Sequence, residues 1–237
     1  MSWLDELLSA RSGKQQLVDA DAALPGRSTG VELAEKNIVL GHPMRGADPE
    51  RNGGIGSFAE LSPTPLDAVI LAGGCFWGVD EIFWQVPGVW TTAVGYAGGY
   101  TPNPTYEETC TARTGHTEST LVVFDPARID LNGVLALFWE THDPTQDMRQ
   151  GNDIGTQYRS AIYTLSDEAA AVARASAAKY QTALTAAGLG AITTEIAPLA
   201  AAGDGHFYYA EDYHQQYLAK NPHGYRCHAA TGIAFPG

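Results

Sequence analysis

The pattern of apolar and polar positions predicts short strands and helices from about residue 67 onward. Asp67–Ala72 is an apolar, partly β-branched run bounded by Pro65 and a glycine pair, which predicts a buried strand. Helical spacing then continues until Pro87-Gly88 ends the pattern, and the apolar positions are Val79, Ile82, Phe83 and Val86. Cys75 is therefore expected where a strand ends and a helix begins.

The following segments continue this alternation. Val89–Ala97, Ser119–Phe124 and Tyr158–Leu165 have the composition of three further strands, and Asp130 can cap a helix before the last of them. The element order is then βαββαβ, the split βαβ arrangement. We therefore predict an α+β fold, a ferredoxin-like two-layer sandwich with a mixed sheet.

The C-terminal part adds further elements to this arrangement. An alanine-rich run predicts a helix over Asp167–Ala187, and it is followed by a predicted strand over Ile192–Ile196. A further helix is expected around Tyr208–Ala219. From Asn221 onward no regular pattern remains, so we expect an irregular tail.

Residues 1–66 differ from the rest of the chain in their pattern of glycine and proline. Such residues interrupt regular secondary structure, and they include Pro25-Gly26, Gly41-His42-Pro43 and Gly53-Gly54. We therefore predict an irregular N-terminal extension over residues 1–66 that wraps the core. A single domain over residues 67–237, including the tail, is expected to follow it.

Composition and charge narrow the possible functions. The chain has 237 residues, 44% of them hydrophobic, which is enough for one sizeable core. A net charge of −13 argues against nucleic-acid and membrane-surface partners, because both are polyanionic. No apolar run approaches the roughly 20 residues of a membrane span. The N-terminus lacks the basic region of a signal peptide, and three cysteines are too few for a secreted disulfide framework. We therefore expect a cytoplasmic protein.

Cys75 is the first candidate for chemistry. Free backbone N–H groups and the helix dipole favour an anion at the start of a helix, so they would stabilise a thiolate there. Phe76 and Trp77 follow directly and offer an apolar wall. The pattern indicates a nucleophile for a small apolar substrate, although a lone cysteine can equally be a buried core residue.

Several ordered motifs support the nucleophile. The run Gly74-Cys75-Phe76-Trp77-Gly78 is followed by Gly151–Ser160, a polar segment that contains Asp153 and Tyr158. The other motifs are Gly95–Gly99, Pro102–Tyr106, Thr114–Glu118, His142–Pro144, Ile192–Glu195 and Ala210–Gln216. In this order they closely resemble the A-type methionine sulfoxide reductase family from about residue 67 to 227.

The resemblance implies reduction of the S epimer of methionine sulfoxide, in proteins and also as the free amino acid. Cys75 would attack the sulfoxide sulfur, and Glu118 would act as the proton donor. Tyr106 and Tyr158 would donate hydroxyl hydrogens to the sulfoxide oxygen. A carboxyl near apolar rings should have a raised pKa, so Glu118 could stay protonated near neutral pH. Phe76 and Trp77 would seat the S-methyl group, and Asp153 would belong to the polar wall of the site.

The same resemblance implies recycling through a disulfide. Attack would leave Cys75 as a sulfenic acid, which condenses with a second thiol. Cys227 is the candidate for this second thiol. In the commonest family pattern the resolving cysteine directly follows a Gly-Tyr pair, whereas here Arg226 stands between Tyr225 and Cys227. No further tail cysteine follows, so thioredoxin or a similar dithiol protein would reduce the Cys75–Cys227 disulfide. Cys110 is given no catalytic role and is expected to be a partly buried thiol.

Other classes of function are less well supported. A metal site could be suspected from His214, His223, Cys227 and His228, but their spacing lacks paired short-range ligands. No phosphate loop or dinucleotide fingerprint occurs, so we expect no cofactor. A non-enzymatic module that binds oxidised or methionine-rich segments, or a cysteine hydrolase using His116 as its base, stays open at this point. The B-type sulfoxide reductases are excluded because their Cys-x-x-Cys zinc pairs are missing. We expect a monomer.

Overall fold

The structure is a computed structural model that describes residues 13–227 and 229–237. Its strands are β1 (Asp67–Gly73), β2 (Val89–Ala97), β3 (Thr117–Phe124), β4 (Arg149–Gln150), β5 (Asp153–Ile154), β6 (Ser160–Thr164), β7 (Glu195–Pro198) and β8 (Phe207–Tyr209). Its α-helices are α1 (Phe76–Trp84), α2 (Tyr106–Thr109), α3 (Leu131–Thr141), α4 (Asp167–Ala186) and α5 (Tyr217–Lys220). Short 3₁₀ turns span Ala20–Ala22, Thr156–Tyr158 and Leu199–Ala201.

Six of the strands form one mixed sheet in the order β7-β6-β1-β3-β2-β8. All neighbouring pairs are antiparallel except β6 and β7, which are parallel. β4 and β5 form a separate hairpin beside it. The predicted α+β class with a mixed sheet is confirmed, whereas the ferredoxin-like description stays a prediction for the four strands β6-β1-β3-β2.

One face of the sheet is covered by three helices. Val69 and Leu71 of β1 point to this side and pack in one apolar cluster with Phe83 of α1, Phe138 of α3 and Tyr180 of α4. Alternate residues of a strand face opposite sides of a sheet, so this cluster uses every second position of β1. The cluster fixes α1, and therefore the turn that precedes it, against the sheet.

The other face is covered largely by the N-terminal segment. Met44 and Ile55 are 0% exposed and pack with Ile70 and Leu121 on the opposite side of the sheet from the helices. This segment contains no α-helix or named strand between residues 14 and 66, but isolated bridges such as Ala47 with Ser57 tie it together. Residues 1–12 lie outside the described residues. The division of the chain at residue 66 therefore stays a prediction.

Two predicted elements differ from the structure because of long-range hydrogen bonds. The helix around Tyr208–Ala219 is wrong: Tyr208 lies in β8, and only α5 is helical. Buried Gln215 hydrogen-bonds with both backbone groups of Val94, which holds residues 212–216 in turns. The strand predicted over residues 192–196 begins only at Glu195, since the N–H of Thr193 donates to the carbonyl of Pro144 instead.

No helix within the described residues is both long and apolar enough to cross a membrane.

Candidate active site

Cys75 is the N-cap residue of α1 and follows β1 through a tight turn. Gly74 makes this turn with a φ of +93°, where a Cβ would lie 2.6 Å from the Cβ of Gln150. Glycine adopts this backbone conformation without strain, and here it also lets the β4 hairpin approach. The Cys75 side chain is 7% exposed. The predicted strand-to-helix position of Cys75 is therefore confirmed.

The electrostatics of Cys75 differ from the expectation for a helix start. Burial raises the pKa of the thiol well above its usual value, and the nearby carboxyl of Glu118 raises this pKa further. A hydrogen bond from the backbone N–H of Trp77 lowers the pKa, as expected at a helix N-terminus, but it does not outweigh burial. The prediction of a stabilised thiolate is wrong for the resting protein, in which Cys75 is a thiol.

Glu118 lies on β3 beside the cysteine turn. Its carboxyl is 1% exposed, and its Oε2 accepts a hydrogen bond from the backbone N–H of Phe76 at 3.0 Å. The pKa of Glu118 is raised to about 8, mainly by burial. The hydrogen bond from Phe76 opposes this shift, and the charge of Asp153 adds to it. The raised pKa expected from the sequence is confirmed, so Glu118 holds a proton at neutral pH next to the thiol.

The two candidate tyrosines stay protonated in the same region. Tyr106 begins α2, where its backbone N–H donates to Oε1 of Glu211 at 2.9 Å. Tyr158 ends the 3₁₀ turn Thr156–Tyr158. Burial, followed by the charge of Glu118, raises the pKa of both phenols above their usual value. Both hydroxyls therefore remain hydrogen donors at any physiological pH.

Asp153 sits on β5 and faces the C-terminal tail. Its two carboxylate oxygens accept hydrogen bonds from the hydroxyl of Tyr225 at 3.2 and 3.3 Å. Its charge raises the pKa of Cys75, of Glu118 and of Cys227. Because one carboxylate influences all three groups, the structure brings Cys75, Glu118 and the tail residue Cys227 together.

Phe76 and Trp77 form part of an aromatic wall behind the cysteine. Phe76 is almost fully buried and packs against Tyr96, with ring centroids 5.9 Å apart. Trp77 is partly exposed and stacks on Tyr217 at 3.9 Å. Trp77 therefore presents the accessible apolar surface of the pair, while Phe76 supports it from below.

His214 and Glu211 complete this wall, and neither was predicted to belong to the site. His214 is 1% exposed, and its Nδ1 accepts a hydrogen bond from the indole N–H of Trp77 at 3.0 Å. Burial lowers the pKa of His214 to about 4, so the ring is neutral. Glu211 accepts from the Tyr106 backbone with one oxygen and from the Tyr96 hydroxyl with the other. The Ala210–Gln216 motif contains both residues and was the available signal.

The three cysteines are free thiols. The Sγ of Cys227 lies 3.3 Å from the carbonyl oxygen of Gln150, and burial together with the charge of Asp153 raises its pKa to about 11. Cys110 is partly buried, as expected, and it hydrogen-bonds with the hydroxyl of Tyr106. The structure therefore places Cys227 at the same site as Cys75, and it places Cys110 next to the candidate Tyr106.

Two alternative interpretations are affected by the geometry. Both ring nitrogens of buried His116 are engaged, one with the N–H of Gly99 at 3.1 Å and the other with the carbonyl of Thr101 at 2.8 Å. These bonds give His116 a structural role and argue against the hydrolase base. Within the described residues no three His, Cys, Asp or Glu side chains are arranged to hold a metal ion, and His228 of the suspected set lies outside them.

The comparisons with known proteins agree with the geometry. A family model described as peptide methionine sulfoxide reductase matches residues 67–234. Peptide methionine sulfoxide reductase MsrA 1 of Caulobacter vibrioides is 56% identical over 221 residues, which are 93% of each chain. MsrA of Brucella ovis is 53% identical over 223 residues, which are 94% of each chain. The solved structure of methionine sulfoxide reductase A of Corynebacterium diphtheriae has a TM-score of 0.75 and 45% identity, covering 94% of this chain and all of the other. The chain therefore belongs to the peptide methionine sulfoxide reductase family of the A type and is an oxidoreductase.

Proposed function

We propose that this protein reduces the S epimer of methionine sulfoxide, in oxidised proteins and as the free amino acid, to methionine. The observation that carries the proposal is the pairing of two protonated groups at one buried turn. The Cys75 thiol caps α1, and Glu118 is held against the next residue by its hydrogen bond to the Phe76 N–H. A nucleophile and an acid next to each other are what the reduction of a sulfoxide requires.

Apart from the substrate, the sulfoxide reduction step uses only side chains of this protein. The sulfur of Cys75 attacks the sulfoxide sulfur while Glu118 protonates the oxygen. The oxygen ends on Cys75 as a sulfenic acid, methionine leaves, and the thiol proton of Cys75 restores the Glu118 carboxyl. The sulfoxide gains two electrons and the thiol loses two, so the step is balanced.

The surrounding side chains orient the substrate in this scheme. Tyr106 and Tyr158 donate hydroxyl hydrogens to the sulfoxide oxygen, which favours the developing O–H bond over the S=O bond. Trp77, supported by Phe76, covers the S-methyl group. Asp153 forms the polar wall and holds Tyr225 in place.

Recycling uses Cys227 in this scheme. The Cys227 sulfur attacks the sulfenic sulfur of Cys75, an S–S bond forms, the S–O bond breaks, and water carries away the hydroxyl and the thiol proton. Thioredoxin or a similar dithiol protein then reduces the disulfide. Two thiols supply the electrons, so this cycle needs no prosthetic group.

Single turnover without reductant tests the proposal. Reduced protein mixed with an excess of the S epimer should yield one equivalent of methionine and an intramolecular Cys75–Cys227 disulfide, detected by mass spectrometry. The R epimer serves as the control and should yield none. Wild-type protein that binds oxidised peptides but keeps all thiols free would instead support the non-enzymatic binding module.

Two variants separate the roles of the thiols. Cys75→Ser should form no methionine, and retained turnover would remove Cys75 from the nucleophile role. Cys227→Ser should still form one equivalent and then stall in the presence of thioredoxin. Intact thioredoxin-dependent turnover of Cys227→Ser would show that another thiol resolves the sulfenic acid, and Cys110 would be tested next.

A further inference from the structure

Three consecutive residues of the C-terminal tail each bind a different part of the protein. The hydroxyl of Tyr225 donates to Asp153 on β5, and the Sγ of Cys227 donates to the carbonyl of Gln150 on β4. Between them, the guanidinium of Arg226 forms an ion pair with Glu81 on α1. The tail therefore bridges the β4–β5 hairpin and the helix that begins at the candidate nucleophile.

The ion pair has the geometry of a specific contact. Nε of Arg226 donates to Oε2 of Glu81 at 2.6 Å, and Nη2 donates to Oε1 at 2.7 Å. The remaining terminal nitrogen, Nη1, donates to the carbonyl of Pro222 at 2.9 Å. A bidentate Arg–carboxylate pair fixes orientation as well as distance, which a lysine could not do. Arg226 thus holds the tail both to α1 and to its own preceding turn.

The position of Glu81 gives this contact a consequence for Cys227. Glu81 lies in the same nine-residue helix that follows Cys75, and helices move as rigid units. Between the two, the tail passes next to Gly78, where a Cβ would lie in van der Waals contact, 3.6 Å from the carbonyl oxygen of Cys227. The ion pair therefore fixes the tail cysteine relative to the start of α1.

The tail is also tied down after Cys227. The carbonyl of Ile233 accepts a hydrogen bond from the hydroxyl of Tyr180 at 2.9 Å, and the N–H of Phe235 donates to Glu140 at 2.7 Å. Both partners lie on helices that pack against the same face of the sheet as α1. Tyr225 and Arg226 therefore anchor the tail on the N-terminal side of Cys227, and residues 231–235 anchor it on the C-terminal side.

We propose that the Arg226–Glu81 ion pair positions Cys227 for its attack on the sulfenic acid of Cys75. This inference rests on the proposed function, because it concerns only the second step of that cycle. In that step the Cys227 sulfur bonds to the Cys75 sulfur, the S–O bond breaks, and water leaves. The ion pair accelerates disulfide formation and leaves the preceding sulfoxide reduction unchanged. Arg226, the residue that separates Cys227 from its Gly-Tyr pair, thereby acquires a role.

Rapid mixing with methionine sulfoxide in the absence of reductant separates the two steps. Methionine formation reports the first step, and loss of dimedone-reactive sulfenic acid with gain of disulfide reports the second. Glu81→Gln and Arg226→Gln are each expected to slow disulfide formation about threefold to tenfold, a range typical of a partly exposed ion pair that fixes a geometry. Methionine formation should stay within about 1.5-fold of the wild type, well below the factor expected from loss of any reacting group.

A double-mutant cycle with matched controls decides the matter. Because both singles break one contact, the Glu81→Gln, Arg226→Gln double variant should be no slower than the slower single. Glu60→Gln and Arg174→Gln make the same charge changes at exposed positions outside the tail and should form the disulfide at the wild-type rate. Higher salt should slow disulfide formation in the wild type but not in the double variant.

Unchanged disulfide rates in both single variants would overturn the inference, as would equal slowing by the control substitutions. Additive effects in the double variant would also contradict it, since the two residues would then act separately. The failure of the proposed function has a different signature. In that case the wild type itself forms no methionine in single turnover, and no disulfide rate exists to compare.

Discussion

Replacement of Glu118 by glutamine is expected to slow the enzyme and to stabilise its fold at alkaline pH. Glutamine keeps the acceptor oxygen for the Phe76 N–H and nearly the same volume, but it has no acidic proton. Both effects follow from the burial of the carboxyl, because the fold holds the neutral form and disfavours the charged one.

The magnitude follows from the shift in pKa. Burial raises the Glu118 pKa from 4.5 to about 8. Below pH 4.5 the group is protonated in both the folded and unfolded states, and its full contribution to stability is present. Between pH 4.5 and 8 that contribution is lost, since the unfolded chain releases the proton while the folded chain retains it. Each pKa unit is worth about 1.4 kcal/mol, so above pH 8 the ionised carboxylate lowers the free energy of unfolding by roughly 5 kcal/mol.

Two measurements test this reasoning in the same protein. At pH 9 the Tm of Glu118→Gln should exceed that of the wild type by on the order of 10 °C, and this gap should nearly vanish at pH 4.5. In single turnover at pH 7 the variant should form methionine at least about tenfold more slowly. The wild-type rate should fall about tenfold for each pH unit above 8, because the acid loses its proton, whereas the variant should lack this decline.

The outcomes that would refute the reasoning are distinct. A Tm difference that does not change with pH would show that folding does not raise the pKa of Glu118. If Glu118→Gln forms methionine as fast as the wild type across neutral pH, Glu118 is not the acid, whatever the stability data show. Glu60→Gln, at an exposed carboxyl, is the control and should alter neither profile.

Three further substitutions test how the site is supported. Met44→Ala should lower the free energy of unfolding by about 2 to 4 kcal/mol in chemical denaturation, because it opens a cavity in a fully buried contact; a loss below about 1 kcal/mol would show that the N-terminal segment packs loosely. Arg27→Gln breaks a partly exposed ion pair to the helix that begins with Tyr106, and it should raise KM about twofold to fivefold; unchanged KM would show that this pair does not support the tyrosine. Gly74→Ala places a Cβ 2.6 Å from the Gln150 side chain at a φ of +93°. It should therefore lower the free energy of unfolding by at least about 2 kcal/mol and abolish single turnover. A fully active variant would contradict the tight-turn account.

Elements with local signals could be predicted from the sequence. The helix α3 begins after Asp130, whose side chain accepts a hydrogen bond from the N–H of Gly133 at 2.9 Å, and this cap is visible in the sequence. The turn at Cys75 was equally local, because an apolar run, a glycine pair and a helical pattern follow one another. The α+β class follows from the order of such elements.

Features that depend on distant partners could not be predicted. Residues 211–216 have helical composition, but Gln215 is more stable when its amide pairs with both backbone groups of Val94 on β2. The resting thiol at Cys75 escaped prediction for a similar reason. The helix start is a local feature that lowers the pKa, whereas the burial that raises it depends on β3, the hairpin and the tail. Glu118 was accessible only through the motif resemblance, since an acidic residue on a strand is usually exposed.

The buried contacts of Met44 and Ile55 have a consequence for truncated versions of this protein. A fragment restricted to residues 67–234, the range of the family model, would retain every candidate site side chain. It would also lose Met44, Ile55 and Phe58, which pack with Ile70 and Leu121, so part of that face of the sheet would be exposed to water. Such a fragment is expected to aggregate or to require a substitute cover. The boundary of sequence similarity and the boundary of an independent folding unit therefore do not coincide in this chain.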